Sequence, residues 1–90
     1  MVSIIVTIKV EDFAKWKQAF DGADEMRKQM GIVMQGVYQS IDDPNSISLV
    51  SDYPSIEFVK NMLASPKWEE NQKMSGVIGG FNVQYFNKVA

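Results

Sequence analysis

Three tyrosines give the clearest chemical signal in the sequence. Tyr38, Tyr53 and Tyr85 share the alternating positions of the apolar, helix-facing residues in three predicted strands. This spacing predicts three phenol groups around one cavity, where a phenol can donate or accept a proton. In the alternative interpretation, each ring lies at the edge of the core and holds its hydroxyl in water.

The rest of the composition narrows the available chemistry. The chain has no histidine and no cysteine, which excludes Ser-His-Asp and Cys-His nucleophiles, a structural zinc site and a histidine ligand for haem. The remaining groups are tyrosines, carboxylates, hydroxyls, lysines and a single arginine, Arg27. We expect no metal and no cofactor. An enzyme built from these groups would depend on the reactivity of its substrate.

The N-terminal third predicts a strand followed by a helix. Residues 2–9 alternate β-branched apolar side chains with a mixed face. Asp12 is placed to cap a helix that ends before Gly31. Its apolar stripe recurs at steps of three and four residues and comprises Phe13, Trp16, Phe20, Ala23, Met26 and Met30. Trp16 is therefore expected in the core.

The next segment predicts a hairpin of two strands. The apolar period drops to two from Ile32 to Ile41, and a second such run extends from Ile47 to Tyr53. Between them, residues 42–46 have the composition of a turn and lack the central glycine of a calcium loop. The alternation places Met34, Gly36 and Tyr38 on the helix-facing side and Val33, Gln35 and Val37 on the opposite side.

The second half of the chain predicts an interrupted helical layer. Ser55 caps one short helix, and Ser65-Pro66 starts another that ends at Gly76. Residues 76–80 predict a helix stop and connector before a last strand over residues 81–86. Two short helices cover a sheet less completely than one straight helix, so we expect a gap near residues 62–74. Substrate-binding residues expected there are Trp68, as a stacking wall, Met62 and Gln72.

The predicted order, β-α-β-β-α-α′-β, is that of an α+β, ferredoxin-like βαββαβ fold with a short extra helix before the last strand. Both main helices cover one face of an antiparallel sheet and leave the other face open. That open face mixes polar and apolar residues, which is typical of an interface, and predicts a homodimer. Its members are Ser3, Ile5, Thr7, Val33, Gln35, Val37, Ser48, Val50, Gln84 and Phe86.

Size and charge limit the partners. Residues 1–90 make a single domain whose monomer buries little surface, which also favours a dimer. The net charge of −2 has the wrong sign for a nucleic-acid surface. No segment approaches the roughly 20 apolar residues of a membrane helix. We expect neither nucleic acid nor membrane as a partner, and a cytoplasmic location, with which the lack of cysteine is consistent.

Three stretches resemble the dimeric α/β-barrel superfamily, and within it the small proteins similar to antibiotic-biosynthesis monooxygenases. They are residues 10–20, the turn Asp42-Asp43-Pro44-Asn45, and Asp52-Tyr53-Pro54-Ser55 followed by Ala64-Ser65-Pro66. The resemblance implies a homodimer whose sheets close a barrel, with a ligand cavity between sheet and helices in each subunit. The monooxygenase members use an asparagine and a tryptophan near the second helix, with a tyrosine and an arginine nearby. Asn61 and Trp68 correspond loosely to the first two, whereas Arg27, the only arginine, lies on the predicted first helix.

Two functions of different classes follow from the residues and the resemblance together. The first is a cofactor-free monooxygenase-like enzyme acting on an electron-rich aromatic, with Tyr38, Tyr53, Tyr85 and Asn61 as catalytic groups. The second is a non-catalytic small-molecule-binding or regulatory domain of the same fold. The missing histidine favours the second, since the haem-degrading members of the superfamily use histidine at their sites.

Overall fold

This computed structural model describes residues 2–89, which contain four strands and four helices. The strands form one antiparallel sheet in the order β2-β3-β1-β4. The predicted α+β ferredoxin-like fold is confirmed. In chain order the elements are β1 (Val2–Val10), α1 (Phe13–Gly22), α2 (Asp24–Gln29), β2 (Val33–Gln39), β3 (Ser46–Tyr53), α3 (Ile56–Leu63), α4 (Pro66–Met74) and β4 (Val77–Phe86).

Local sequence signals explain where the helices begin. Asp12 caps α1, since its Oδ1 accepts hydrogen bonds from the backbone N–H groups of Ala14 and Lys15 at 2.9 and 3.3 Å. Ser55 caps α3 through a 3.1 Å bond from the Phe58 N–H to its Oγ. Pro66 is the first residue of α4, where its missing N–H costs no helical hydrogen bond.

The single first helix expected from the sequence is divided into α1 and α2 at Ala23. Gly22 has a low helix propensity and precedes the break. The carbonyl oxygen of Phe20 accepts a 3.2 Å bond from the Ala23 N–H, three residues on, and a 2.6 Å bond from Nη2 of Arg27. The Arg27 side chain therefore joins α2 to the end of α1.

The core lies between the helices and one face of the sheet. One buried cluster comprises Ile4, Ile32, Tyr53 and Val59, and a second comprises Ile8, Val10, Trp16 and Ile47. Trp16 and Val59 are the buried helix residues in the described part of the chain. Both residues pack in these two clusters, on the same face of the sheet. In the described residues no buried helix side chain covers the opposite face.

A bulge in β2 changes which residues of that strand face the helices. Met34 pairs with Ser51 but Gly36 pairs with Val50, which leaves Gln35 as an extra residue. One extra residue moves all later side chains to the other face. Val37 therefore pairs with Leu49 and packs in the core, whereas Gly36 and Tyr38 lie on the open face, contrary to the predicted alternation.

The last strand begins earlier than the sequence predicts. Gly76 ends the α4 segment with φ +86°, as expected, but Val77 already pairs with Val10 and Gly79 with Lys9. The ladder is irregular here, and Gly79 has φ +157°, a conformation that side chains disfavour. Residues 77–80 are thus part of β4 instead of a connector.

Candidate functional site

A large cavity lies between the helices and the helix-facing side of the sheet. Its volume is about 1040 Å³. The floor is formed by Ile4, Val6 and Ile8 of β1, with neighbours from β3 and β4. The walls come from all four helices, so the cavity extends beyond the predicted gap at residues 62–74 to α1 and α2. Such an apolar cleft with a few polar groups is the usual form of a small-molecule site.

Trp68 forms one wall of the cavity. It lies in α4, half-buried, and makes an edge-to-face contact with Phe81 of β4, with centroids 4.9 Å apart and planes at 87°. This contact fixes the indole against the last strand. Because Phe81 holds it there, Trp68 presents a flat aromatic surface at a fixed place.

The other residues predicted near Trp68 also line the cavity. Asn61 and Met62 lie on α3, and Gln72 lies on α4 one turn beyond Trp68. Asn61 is exposed, while Met62 and Gln72 are partly buried. The structure therefore brings together two amides, a thioether and an indole at the junction of α3 and α4.

Tyr53 is the one member of the predicted tyrosine trio that lines the cavity. It lies at the end of β3, is buried, and packs at 6.1 Å from the ring of Phe58. Burial raises the pKa of Tyr53, although a hydrogen bond with Ser51 and the charge of Arg27 oppose the rise. Its phenol therefore stays protonated at neutral pH and is suited to donate a hydrogen bond, not to act as a base.

Tyr38 and Tyr85 are outside the cavity lining. The bulge puts Tyr38 on the open face, 60% exposed, with its ring so close over Gly36 that a Cβ there would clash. Tyr85 pairs with Ile4 and so has the predicted helix-facing orientation. It lies next to the end of the edge strand β4 and is 38% exposed. The expectation that three phenols converge on one cavity is wrong for these two residues.

Arg27 lines the cavity, although it was predicted on the first helix and was not among the predicted site residues. Its side chain is only 14% exposed, and its guanidinium lies 3.8 Å from the centre of the Phe20 ring. Burial lowers the pKa of Arg27, with Asp24, Tyr53 and Asp21 acting in the opposite direction. The guanidinium remains charged at neutral pH. No local pattern predicted its inward direction, because that direction depends on the break between α1 and α2.

The charge of the cavity lining is opposite to that of the whole chain. The net charge is −2, yet the charged residues of the described lining are Arg27 and Lys67, without an aspartate or glutamate.

The residues described also include no group of three metal-binding side chains. No helix in residues 2–89 combines the length and apolar character needed to cross a bilayer.

The sequence matches no protein-family model, and no curated protein matches it. Solved structures do match over nearly the whole chain. An antibiotic biosynthesis monooxygenase superposes with a TM-score of 0.71 and 10% identity, with all of both chains covered. The chain has the fold of the antibiotic biosynthesis monooxygenases.

Two further structures belong to the same comparison. SnoaB, a cofactor-independent oxygenase from Streptomyces nogalater, matches with a TM-score of 0.72 and 14% identity, over 99% of this chain and 93% of SnoaB. A candidate antibiotic biosynthesis monooxygenase from Caulobacter crescentus matches with a TM-score of 0.74 and 17% identity, over 99% and 90%. At these identities the likeness establishes the fold of the monooxygenases and leaves the reaction of this chain to its own residues.

Proposed function

We propose that this chain is a cytoplasmic homodimer whose cavity binds a flat, electron-rich aromatic, such as a phenol or quinol, and oxidises it with O₂ without a cofactor. The observation that carries the proposal is the cavity at the junction of α3 and α4, where Trp68 offers a stacking wall and Asn61 an amide donor. The likeness of fold to a cofactor-independent oxygenase supports the same reaction class.

The substrate supplies the electrons in this reaction. In the keto form of such a phenol, as in an anthrone, the ring carbonyl acidifies a CH₂ group, which loses a proton to water and gives a phenolate-type anion. This anion transfers an electron to O₂, a carbon–oxygen bond forms at the former CH₂ carbon, and return of a proton gives the hydroperoxide. Loss of water from the hydroperoxide leaves a ketone. One CH₂ group and one O₂ thus give one C=O and one H₂O, and the four electrons come from the substrate.

The protein's part is to hold the aromatic and its oxygen atoms in place. Trp68 stacks on the ring, Asn61 donates to a substrate oxygen, and Tyr53 donates from its protonated phenol. The apolar floor from β1 offers the ring an apolar contact surface.

A non-catalytic binder of the same fold is the second candidate. The observation in its favour is that the described cavity lining contains no carboxylate, and that the raised pKa of Tyr53 makes its phenol a poor base. Such a protein would keep the cavity and bind the aromatic without oxidising it.

Oxygen uptake with a panel of anthrones and hydroquinones tests the proposal. We expect uptake above the rate without protein, reduced in Trp68→Ala and Asn61→Ala and unchanged in Asn87→Ala, an exposed asparagine outside the cavity. Uptake equal to the blank together with a ligand-induced rise in melting temperature would favour the binder. If no member of the panel causes oxygen uptake and none raises the melting temperature, both functions are rejected.

A further inference from the structure

We propose that Arg27 makes the cavity selective for ligands that carry an anionic oxygen on a flat aromatic body. This inference rests on the proposed function in one respect, namely that the cavity binds a small aromatic. It adds the charge of the ligand and the residue that recognises it.

The first observation is the unused hydrogen-bonding capacity of the guanidinium. A guanidinium has five N–H donors. Nη2 donates to the Phe20 carbonyl oxygen at 2.6 Å, whereas Nε is shielded from solvent and has no hydrogen-bond partner among the described residues. Among the described residues only the Phe20 carbonyl oxygen accepts from the guanidinium, so the donors that Arg27 presents in the cavity lining remain for an acceptor that enters it.

The second observation is that no carboxylate among residues 2–89 accepts a hydrogen bond from Arg27. The nearest acidic oxygen, Oδ1 of Asp24, lies 3.8 Å from Nη2, beyond hydrogen-bond distance, and the Asp24 side chain is 54% exposed. Asp24 is also shared with Lys28, whose Nζ lies 3.3 Å from its Oδ2. Asp24 therefore pairs with Arg27 only through a 3.8 Å salt bridge from an exposed, shared carboxylate, and a ligand in the cavity can compete for the guanidinium charge.

The third observation is the surroundings of that charge. Arg27 sits against the Phe20 ring, and the described lining of the cavity adds a second cation, Lys67, but no acid. Charges in such an apolar cleft interact more strongly than in water. An anion entering the cavity thus meets attraction from Arg27 without repulsion from its walls, and the protonated phenol of Tyr53 is a further donor.

Phenolates and aromatic carboxylates both carry an anionic oxygen on a flat aromatic body. Three naphthalene probes distinguish binding of a phenolate, a carboxylate and a neutral ring. 4-Nitro-1-naphthol supplies a coloured phenolate, 2-naphthoate supplies a carboxylate, and the methyl ether of the nitronaphthol is the neutral match. Calorimetric titration of the full chain gives the affinity for each probe. The absorption spectrum shows whether bound nitronaphthol is ionised.

We expect the wild type to bind both anions more tightly than the ether and to lower the pKa of the bound nitronaphthol. Arg27→Met should weaken anion binding by about 10- to 100-fold, since a hydrogen bond to a charged group contributes that much. Its affinity for the ether should stay the same. Lys15→Gln is the matched control, because it removes an exposed cation of α1 that lies outside the cavity and pairs with no described carboxylate, and it should change neither affinity.

Two kinds of result overturn the inference. One rejects the role of Arg27 but keeps the proposed aromatic cavity, and the other rejects the cavity as well. Equal affinity for ether and anions, or bound nitronaphthol with a raised pKa, rejects the role of Arg27 and leaves an aromatic cavity. If no probe binds, the cavity itself is rejected. Where Arg27→Met fails to fold, Lys67→Met tests the assignment, because the lowered pKa of bound nitronaphthol should persist when this second cation of the cavity is removed. Loss of the shift in Lys67→Met would reject the role of Arg27.

Discussion

Arg27 and Phe20 hold each other through two contacts across the break between α1 and α2. The guanidinium lies 3.8 Å from the centre of the Phe20 ring, and its Nη2 donates a 2.6 Å hydrogen bond to the Phe20 carbonyl oxygen. The same side chain thus closes the end of α1 and forms part of the cavity wall.

We expect Arg27→Met to lower the free energy of unfolding by about 1 to 2 kcal/mol, from the lost hydrogen bond and cation–π contact. Urea denaturation followed by far-UV circular dichroism measures this change. Lys28→Gln, on an exposed side chain, should change it by less than about 0.5 kcal/mol. Equal effects of the two substitutions would contradict the structural role of Arg27.

Trp68 and Trp16 should respond differently to truncation. Trp16 is 3% exposed and stacks on Phe20 at 5.0 Å, so Trp16→Ala should cost about 3 to 5 kcal/mol of stability as a core truncation. Trp68 is half-buried at the cavity, so Trp68→Ala should cost less stability but lose most of the affinity for an aromatic ligand. Denaturant titration and calorimetry on both variants test this. A Trp68→Ala variant as unstable as Trp16→Ala, with its affinity retained, would identify Trp68 as core.

Asp52 makes stability depend on pH in the acidic range. Its carboxylate accepts hydrogen bonds from Ser3 Oγ at 2.6 Å and Gln35 Nε2 at 2.7 Å, and these lower the pKa of Asp52. Their contribution is complete above the ordinary pKa of an aspartate. It is lost as the pH falls below that value through the lowered folded pKa.

Thermal melts of the wild type and Asp52→Asn across the acidic range measure this effect. The wild type should lose its advantage over Asp52→Asn as the pH falls, because protonation removes the charge that both donors stabilise. Asp42→Asn, in an exposed turn outside the network, serves as the control. A stability difference independent of pH would show that the hydrogen bonds do not favour the ionised form.

The open sheet face is where we expect a second copy of the chain. Ile5 lies at its centre, opposite Val50 of β3 and Gln84 of β4. Light scattering after size exclusion should give about twice the 10.2 kDa chain mass. Ile5→Asp should give the monomer mass or an unfolded chain, because it would bury an unpaired charge. Ile41→Asp, at a fully exposed turn residue, should leave the mass unchanged. A monomeric wild type would contradict the expected dimeric barrel.

The sequence predicted the fold well because periodicity and capping residues act locally. Asp12 and Ser55 cap helices as expected, and the strand order follows from the ferredoxin-like arrangement. Tyr38 and Val37 were assigned to the wrong faces because a bulge is set by tertiary pairing. Here Gln35 is bulged and bonds to Asp52, seventeen positions away. No local pattern in β2 marks that extra residue.

Part of the cavity lining was predicted from the sequence. Trp68, Met62, Asn61 and Gln72 follow from the interrupted helix and the resemblance, and all four line the cavity. Arg27 was missed because the helical pattern gave no reason to place its charged side chain on the cavity side of the helix. The break at Ala23 and the contact with the Phe20 carbonyl turn it inward, and both depend on three-dimensional packing.

The central claim is that a flat aromatic binds between the sheet and the helices. The most direct measurement is a titration of ¹⁵N-labelled protein with 4-nitro-1-naphthol, followed through amide and indole chemical shifts. We expect saturable shifts at the cavity residues, with Trp68, Asn61 and Arg27 among the largest, and small shifts at Thr7 and Ser48 on the open face. Shifts confined to the open face, or none at saturating probe, would contradict the account.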